Sequence, residues 1–170
     1  MKRSTVITIA LALFAAGCGG TTDPTPVKPT FTADLRTSNE NPPITNAEAG
    51  GSGSATITFD ITRDAQNNIT AATATFVVTL AGFPANTPIN IAHIHRAPVG
   101  SNGNVVVNTS LAAGEVTLAS GGGSFTKTGI VISPVDLANE IINNPAGFYF
   151  NAHSTLNPGG VVRGQLVKVQ

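Results

Sequence analysis

The side chains in this sequence best suited to chemistry are its three histidines. His93 and His95 form a His-x-His pair. His153 comes much later, in the stretch Tyr149-Phe150-Asn151-Ala152-His153. On a β-strand, residues two apart share a face, with Cα atoms about 6.6 Å apart. Both imidazoles of the pair can then reach one ion, while Ala92 and Ile94 turn toward a core. If the strand carrying His153 lies beside the first, three imidazoles converge, with Tyr149 and Asn151 on the same face. Imidazole suits copper, zinc, nickel or iron rather than calcium or magnesium. The expectation is therefore a mononuclear copper or zinc site on His93, His95 and His153. The competing reading is structural: histidines near strand ends also serve as hydrogen-bond partners for loop carbonyls or amides. Arg96 and Arg163 stand close by, and a cation is repelled by them.

Arg163 has two readings of its own. In Gly160-Val161-Val162-Arg163-Gly164-Gln165, glycine permits close backbone approach, and a planar guanidinium clamps a carboxylate or a pair of carbonyls. It is either an anion handle beside His153 or an internal staple that holds loop carbonyls or pairs with Glu40. Tyr149, Asn151, Arg163 and Arg96 together form the expected binding surface around the histidines. Covalent catalysis finds no support. No Gly-x-Ser-x-Gly elbow occurs, no spacing predicts a carboxylate pair, and no catalytic residue is assigned.

The single cysteine excludes an internal disulfide, a Cys-rich zinc site and a redox pair. Its position is informative instead. Lys2 and Arg3 precede an apolar run from Val6 to Ala16, which is too short to span a bilayer but suits a signal-peptide core. Ala15-Ala16-Gly17-Cys18 follows and resembles the bacterial lipoprotein signal, although leucine is usual where Ala15 stands. Residues 1–17 are then the signal peptide, Cys18 is the lipidation site, and residues 18–30 form a Pro/Thr-rich tether to the domain at 31–170. Gly19 lacks the aspartate that retains such proteins at the inner membrane. The expected location is exported and lipid-anchored in the bacterial cell envelope, at the outer membrane, or else secreted. Several acyl chains anchor more firmly than one.

Basic and acidic residues balance at 9 each, so there is no electrostatic footprint for nucleic acid. Removal of Lys2 and Arg3 leaves the mature chain with two more acidic than basic residues. Charged residues are only 11% while apolar residues are 41%, which excludes a disordered chain. Threonine takes the place of charge, and it favours strands.

The elements that must position these residues read as β-strands. Ser54–Thr62 alternates strictly, with Ala55, Ile57, Phe59 and Ile61 on one face. In Ile69–Leu80, Ala72, Ala74, Phe76, Val78 and Leu80 share a side. Further strands are expected at 31–37, 89–97, 104–109, 115–120, 124–132, 147–154 and 161–169. Gly121–Gly123 reads as a hairpin turn. Ser133-Pro134-Val135-Asp136 reads as a helix start with Ser133 as N-cap, and Leu137, Ile141 and Ile142 form the apolar stripe. The fold class is all-β: an antiparallel Greek-key β-sandwich or flattened barrel, of superoxide-dismutase-like or immunoglobulin-like kind, with one short helix.

Several blocks in order resemble the CHRD domain, first named from repeats in chordin. They are Phe31-x-x-x-Leu35, Glu40-Asn41-Pro42-Pro43, Ala92-His93-Ile94-His95, Gly100-x-Asn102-Gly103-x-Val105-Val106, Tyr149 to Ser154, and Gly160 to Leu166. The departures are Arg96 where glycine is usual, Ser154 where threonine is usual, and Val161 where an acidic residue is usual. The resemblance implies an exported β-sandwich without a defined activity. Ala-His-Ile-His and the later Asn-x-His also resemble the copper strands of Cu/Zn superoxide dismutase, but no disulfide, bridging histidine or zinc loop is present. Three functions follow as expectations. The first is a non-enzymatic binding module at the envelope with a protein or glycan partner. The second is a mononuclear copper or zinc protein, and the third is a purely structural domain.

Overall fold

The computed structural model describes residues 27–170. The expected signal peptide at 1–17, Cys18 and most of the expected tether at 18–30 lie outside the described residues. Ten strands form one antiparallel sheet: β1 Thr30–Arg36, β2 Ser52–Arg63, β3 Ile69–Ala81, β4 Thr87–Arg96, β5 Asn104–Asn108, β6 Val116–Leu118, β7 Gly123–Val131, β8 Phe148–Ser154, β9 Val162–Gln165 and β10 Val167–Lys168. One helix, α1, spans Asp136–Asn143. The strand order is β5-β4-β8-β9-β1-β2-β3-β7, with β10 paired to β1 and β6 paired to β4. β6 also lies against β7, so the two ends of the sheet meet in a nearly closed barrel. The fold class read from the sequence is the one observed.

Alternation explains the interior. Ala55, Ile57 and Phe59 on β2 and Ala72, Ala74, Phe76, Val78 and Leu80 on β3 are all buried, with β2 and β3 in register from Ser52↔Ala81 to Thr62↔Ala71. The pleat sends their threonines to the outside. Phe31 packs on Phe59 with ring centres 5.0 Å apart, and Phe76 on Phe150 at 6.0 Å. Burial of four such rings dominates the core.

Three local expectations are corrected. The segment at 161–169 is two strands, because Leu166 turns inward and its N–H bonds Phe148. Ser133 is not the N-cap: that position is Val135, with no side-chain cap. The chain first makes tight turns in which Leu137 and Ala138 donate to the Pro134 and Val135 carbonyls. Leu137, Ala138 and Ile141 are the buried helix face, and it packs on β3. Finally, Gly121–Gly123 does not close a hairpin. β6 pairs with β4 and β7 with β3, so the turn carries the chain from one edge of the sheet to the other.

Candidate metal centre

The outer wall formed by β4, β8 and β9 carries a polar layer. Across β4 and β8 the register places His93 opposite Asn151, His95 opposite Tyr149, and Ile91 opposite His153. Across β8 and β9 it places Asn151 opposite Arg163 and Tyr149 opposite Gln165. Strand periodicity then puts His93, His95, Tyr149, Asn151, His153, Arg163 and Gln165 on one face, while Ala92, Ile94, Phe150 and Ala152 enter the core.

This face is not open. His93, His95, His153, Tyr149, Asn151 and Arg163 are all buried, beneath loops whose side chains staple one another. Asn41 Nδ2 donates to the Gly100 carbonyl, Asn102 Nδ2 to the Asn41 carbonyl, and Asn46 Nδ2 to Asn157. Tyr149, Asn151 and Arg163 were read from the sequence as a binding surface around the histidines, with an internal staple as the other reading of Arg163. The long loops roof them instead, because a polar face on a barrel wall buries its donors only against other polar groups.

The three imidazoles do converge. One nitrogen from each of His93, His95 and His153 lies within 4.8 Å of the others, and His93 Nδ1 is 3.4 Å from His153 Nε2. Two nitrogens bound to one ion at about 2.0–2.1 Å stand roughly 3.4 Å apart, so a pair at the 4.8 Å limit closes by about 1.4 Å, shared between two rings. The other nitrogen is fixed on two rings. His95 Nδ1 is 2.9 Å from the Gly103 carbonyl, and His153 Nδ1 is 2.9 Å from the Pro158 carbonyl. A carbonyl only accepts, so both Nδ1 atoms carry the proton and both Nε2 atoms keep their lone pairs. His93 Nδ1 then donates to His153 Nε2. His95 Nε2 is buried without a partner. Backbone carbonyls that orient ligand imidazoles in this way are the usual outer shell of a metal site.

Electrostatics leaves the cluster neutral. Burial, reinforced by His153 and His95, pushes His93 down to about 4. Burial also lowers His95, against the raising effect of the Gly103 carbonyl and helped by the Arg163 charge. His153 is lowered by burial, against the Pro158 carbonyl. Neutral imidazoles bind metal without a net loss of protons, and for Nδ1 of His93 to ligate, its proton has only to move to Nε2 of the same ring. Gly103 makes the arrangement possible: a Cβ there would stand 2.0 Å from the Arg96 carbonyl oxygen.

Tyr149 ties the cluster to Arg163. Its ring stacks on His95 at 4.8 Å with an interplanar angle of 5°, and its hydroxyl accepts from the Gly103 N–H at 3.2 Å. On the other side the Arg163 guanidinium lies 4.9 Å from the Tyr149 ring centre. Arg163 is mainly an internal staple. Its Nε donates to the Asn39 carbonyl at 2.5 Å, and its Nη1 donates to the Ser101 carbonyl at 3.2 Å and to Asn102 Oδ1 at 2.9 Å. Glu40 Oε2 stands 3.6 Å from Nε. Burial outweighs the attraction of Arg163 and raises Glu40 to about 7. Arg96 lies apart: it pairs with Glu140 of α1 and covers the Phe148 ring at 5.6 Å.

Among the described residues, four buried side-chain polar atoms lack partners: His95 Nε2, Glu40 Oε1, Asn151 Oδ1 and Arg163 Nη2. All four belong to this layer and its roof. Sequence reading missed Glu48, which is buried and accepts from Ser154 Oγ. It also missed the Gly103 and Pro158 carbonyls, since a main-chain carbonyl has no residue-type signal.

These features define a class: an all-β domain whose three clustered histidines sit in a roofed polar layer on the barrel wall. The CHRD domain family model matches residues 31–166, and the chain belongs to that family. No curated protein and no solved structure matches the chain.

Proposed function

We propose that this protein is an envelope-anchored CHRD binding module whose ligand is a single copper or zinc ion, held by His93, His95 and His153. The observation that carries the reading is the convergence of three neutral imidazoles with one nitrogen each within 4.8 Å, two of them oriented by backbone carbonyls. The purely structural reading explains the Gly103 and Pro158 contacts but leaves His95 Nε2 buried and unpartnered. Such an atom costs about 1–3 kcal/mol, and a metal ion would remove that cost. The roof over Tyr149, Asn151 and Arg163 favours an ion over a protein or glycan as the species that reaches them. Anchoring rests on the sequence around Cys18.

Metal analysis of tagless protein lacking residues 1–17, before and after loading with Cu(II) or Zn(II), tests the reading. One ion per chain is expected after loading, with copper held more tightly than zinc, in keeping with the general affinity order. His93→Ala combined with His153→Ala is expected to abolish uptake. No uptake by wild type, or equal uptake by the double variant, would sink the reading.

A further inference from the structure

We infer that the ion selected by the histidine cluster is monovalent, Cu(I), and that Arg163 sets this preference through Tyr149. The inference rests on the three-histidine reading above and adds the charge state of its ligand.

The ligand set carries no charge. Among the described residues, the only group of potential metal ligands is His93, His95 and His153, without a carboxylate or thiolate. The two buried carboxylates of the roof are engaged elsewhere. Glu48 accepts from Ser154 Oγ, and Glu40 faces Arg163. The cost of taking an ion out of water rises with the square of its charge. Three neutral imidazoles offset that cost far better for a monocation than for a dication. Coordination number points the same way. Zinc on three histidines takes a water as its fourth ligand, whereas Cu(I) is satisfied by three ligands in a plane without one.

Arg163 adds to the discrimination. The stacked order is Arg163, Tyr149, His95. The two separations of 4.9 and 4.8 Å place the guanidinium within about 10 Å of the His95 ring. It is buried, so solvent screens it weakly. Repulsion between this charge and the bound ion scales with the charge of the ion, and it therefore weakens Cu(II) and Zn(II) more than Cu(I). Glu40 at 3.6 Å offsets part of the field. Arg163 touches neither the ion nor its ligands directly, so it acts as a specificity-determining residue at a distance.

The test measures dissociation constants for Cu(I), Cu(II) and Zn(II) on protein lacking residues 1–17, by competition with chromophoric chelators, with ascorbate and no oxygen in the Cu(I) arm. Wild type is expected to bind Cu(I) more tightly than either dication. Arg163→Gln is expected to strengthen Cu(II) and Zn(II) binding about tenfold and Cu(I) binding only about threefold. Arg163→Lys, which keeps the charge, is expected to retain the wild-type ratios. Glu40→Gln at pH 8 removes the offsetting anion and is expected to weaken the dications more than Cu(I), which keeps the test intact if Arg163→Gln does not fold. A preference of wild type for either dication, or charge variants that move all three constants by one factor, would overturn the inference while leaving the metal site standing. Failure of wild type to bind any of the three ions would overturn both.

Discussion

The metal-free protein should respond to acid through two opposed sets of buried groups, and Glu40→Gln should expose the larger one. His93 titrates at about 4 in the folded protein against 6.5 when exposed. Below pH 6.5 the unfolded chain therefore binds a proton that the folded chain refuses. Stability from this group is complete above pH 6.5 and is lost as the pH falls toward 4. The slope is about 1.4 kcal/mol per pH unit for one proton, so His93 accounts for about 3 kcal/mol across the window. His95 and His153 are shifted in the same direction and add to the loss. Glu40 acts in reverse. Its folded value is about 7 against 4.5, so the folded chain binds the extra proton, and stability rises as the pH falls from 7 to 4.5, by a similar amount. In wild type the two nearly cancel, leaving a shallow decline set by His95 and His153. Urea unfolding in the presence of a chelator at half-unit steps from pH 8 to 4 reads the slopes. Glu40→Gln should steepen the decline between pH 7 and 4.5 by about one proton, and His93→Gln should flatten it by about one proton. Parallel curves for Glu40→Gln and wild type would refute the reasoning on the buried carboxyl, and an unchanged slope in His93→Gln would refute it for the cluster.

Other consequences follow from the same geometry. Gly103→Ala forces a Cβ to within 2.0 Å of the Arg96 carbonyl oxygen. It should move the carbonyl that orients His95, weakening metal binding at least tenfold in a metal titration. Phe76→Ala removes a fully buried ring from the core and should cost about 3–5 kcal/mol in urea unfolding without changing metal stoichiometry. Saturating copper at a hundredfold excess over its dissociation constant should stabilise the folded protein by about 2.7 kcal/mol, read as a rise in the unfolding midpoint. Wild type and the His93→Ala, His153→Ala double variant should differ in that rise. Cys18→Ser in the full chain should move the protein from the membrane fraction to the soluble fraction, and a variant that stays membrane-bound would exclude Cys18 as the tether.

The sequence carried the barrel because its strands obey a local rule. Ala55, Ile57 and Phe59 on β2 and the alternating set on β3 are buried as their period demands. The register of β4 and β8 followed once those strands were neighbours, so His93, His95 and His153 were legible as a group. Local rules misled where tertiary packing decided. Ser133 has the chemistry of a cap but lies in the turn before the helix, and Leu166 breaks a strand that looks continuous because its side chain is needed in the core. The roof was invisible for a related reason. The contacts that bury Tyr149, Asn151 and Arg163 come from Asn39, Ser101 and Asn102, and no periodicity links a loop to the wall it will cover. The pairing of Arg163 with Glu40 was foreseeable only as one of two alternatives, and its burial selects the staple over the surface handle.

The central claim is that three imidazoles meet on one ion, and X-ray absorption at the copper edge of loaded protein tests it most directly. Three imidazole nitrogens at about 2.0 Å with the outer-shell scattering of intact rings are expected, reduced to two in His95→Ala. A first shell of oxygen atoms, or one with a single imidazole, would contradict it.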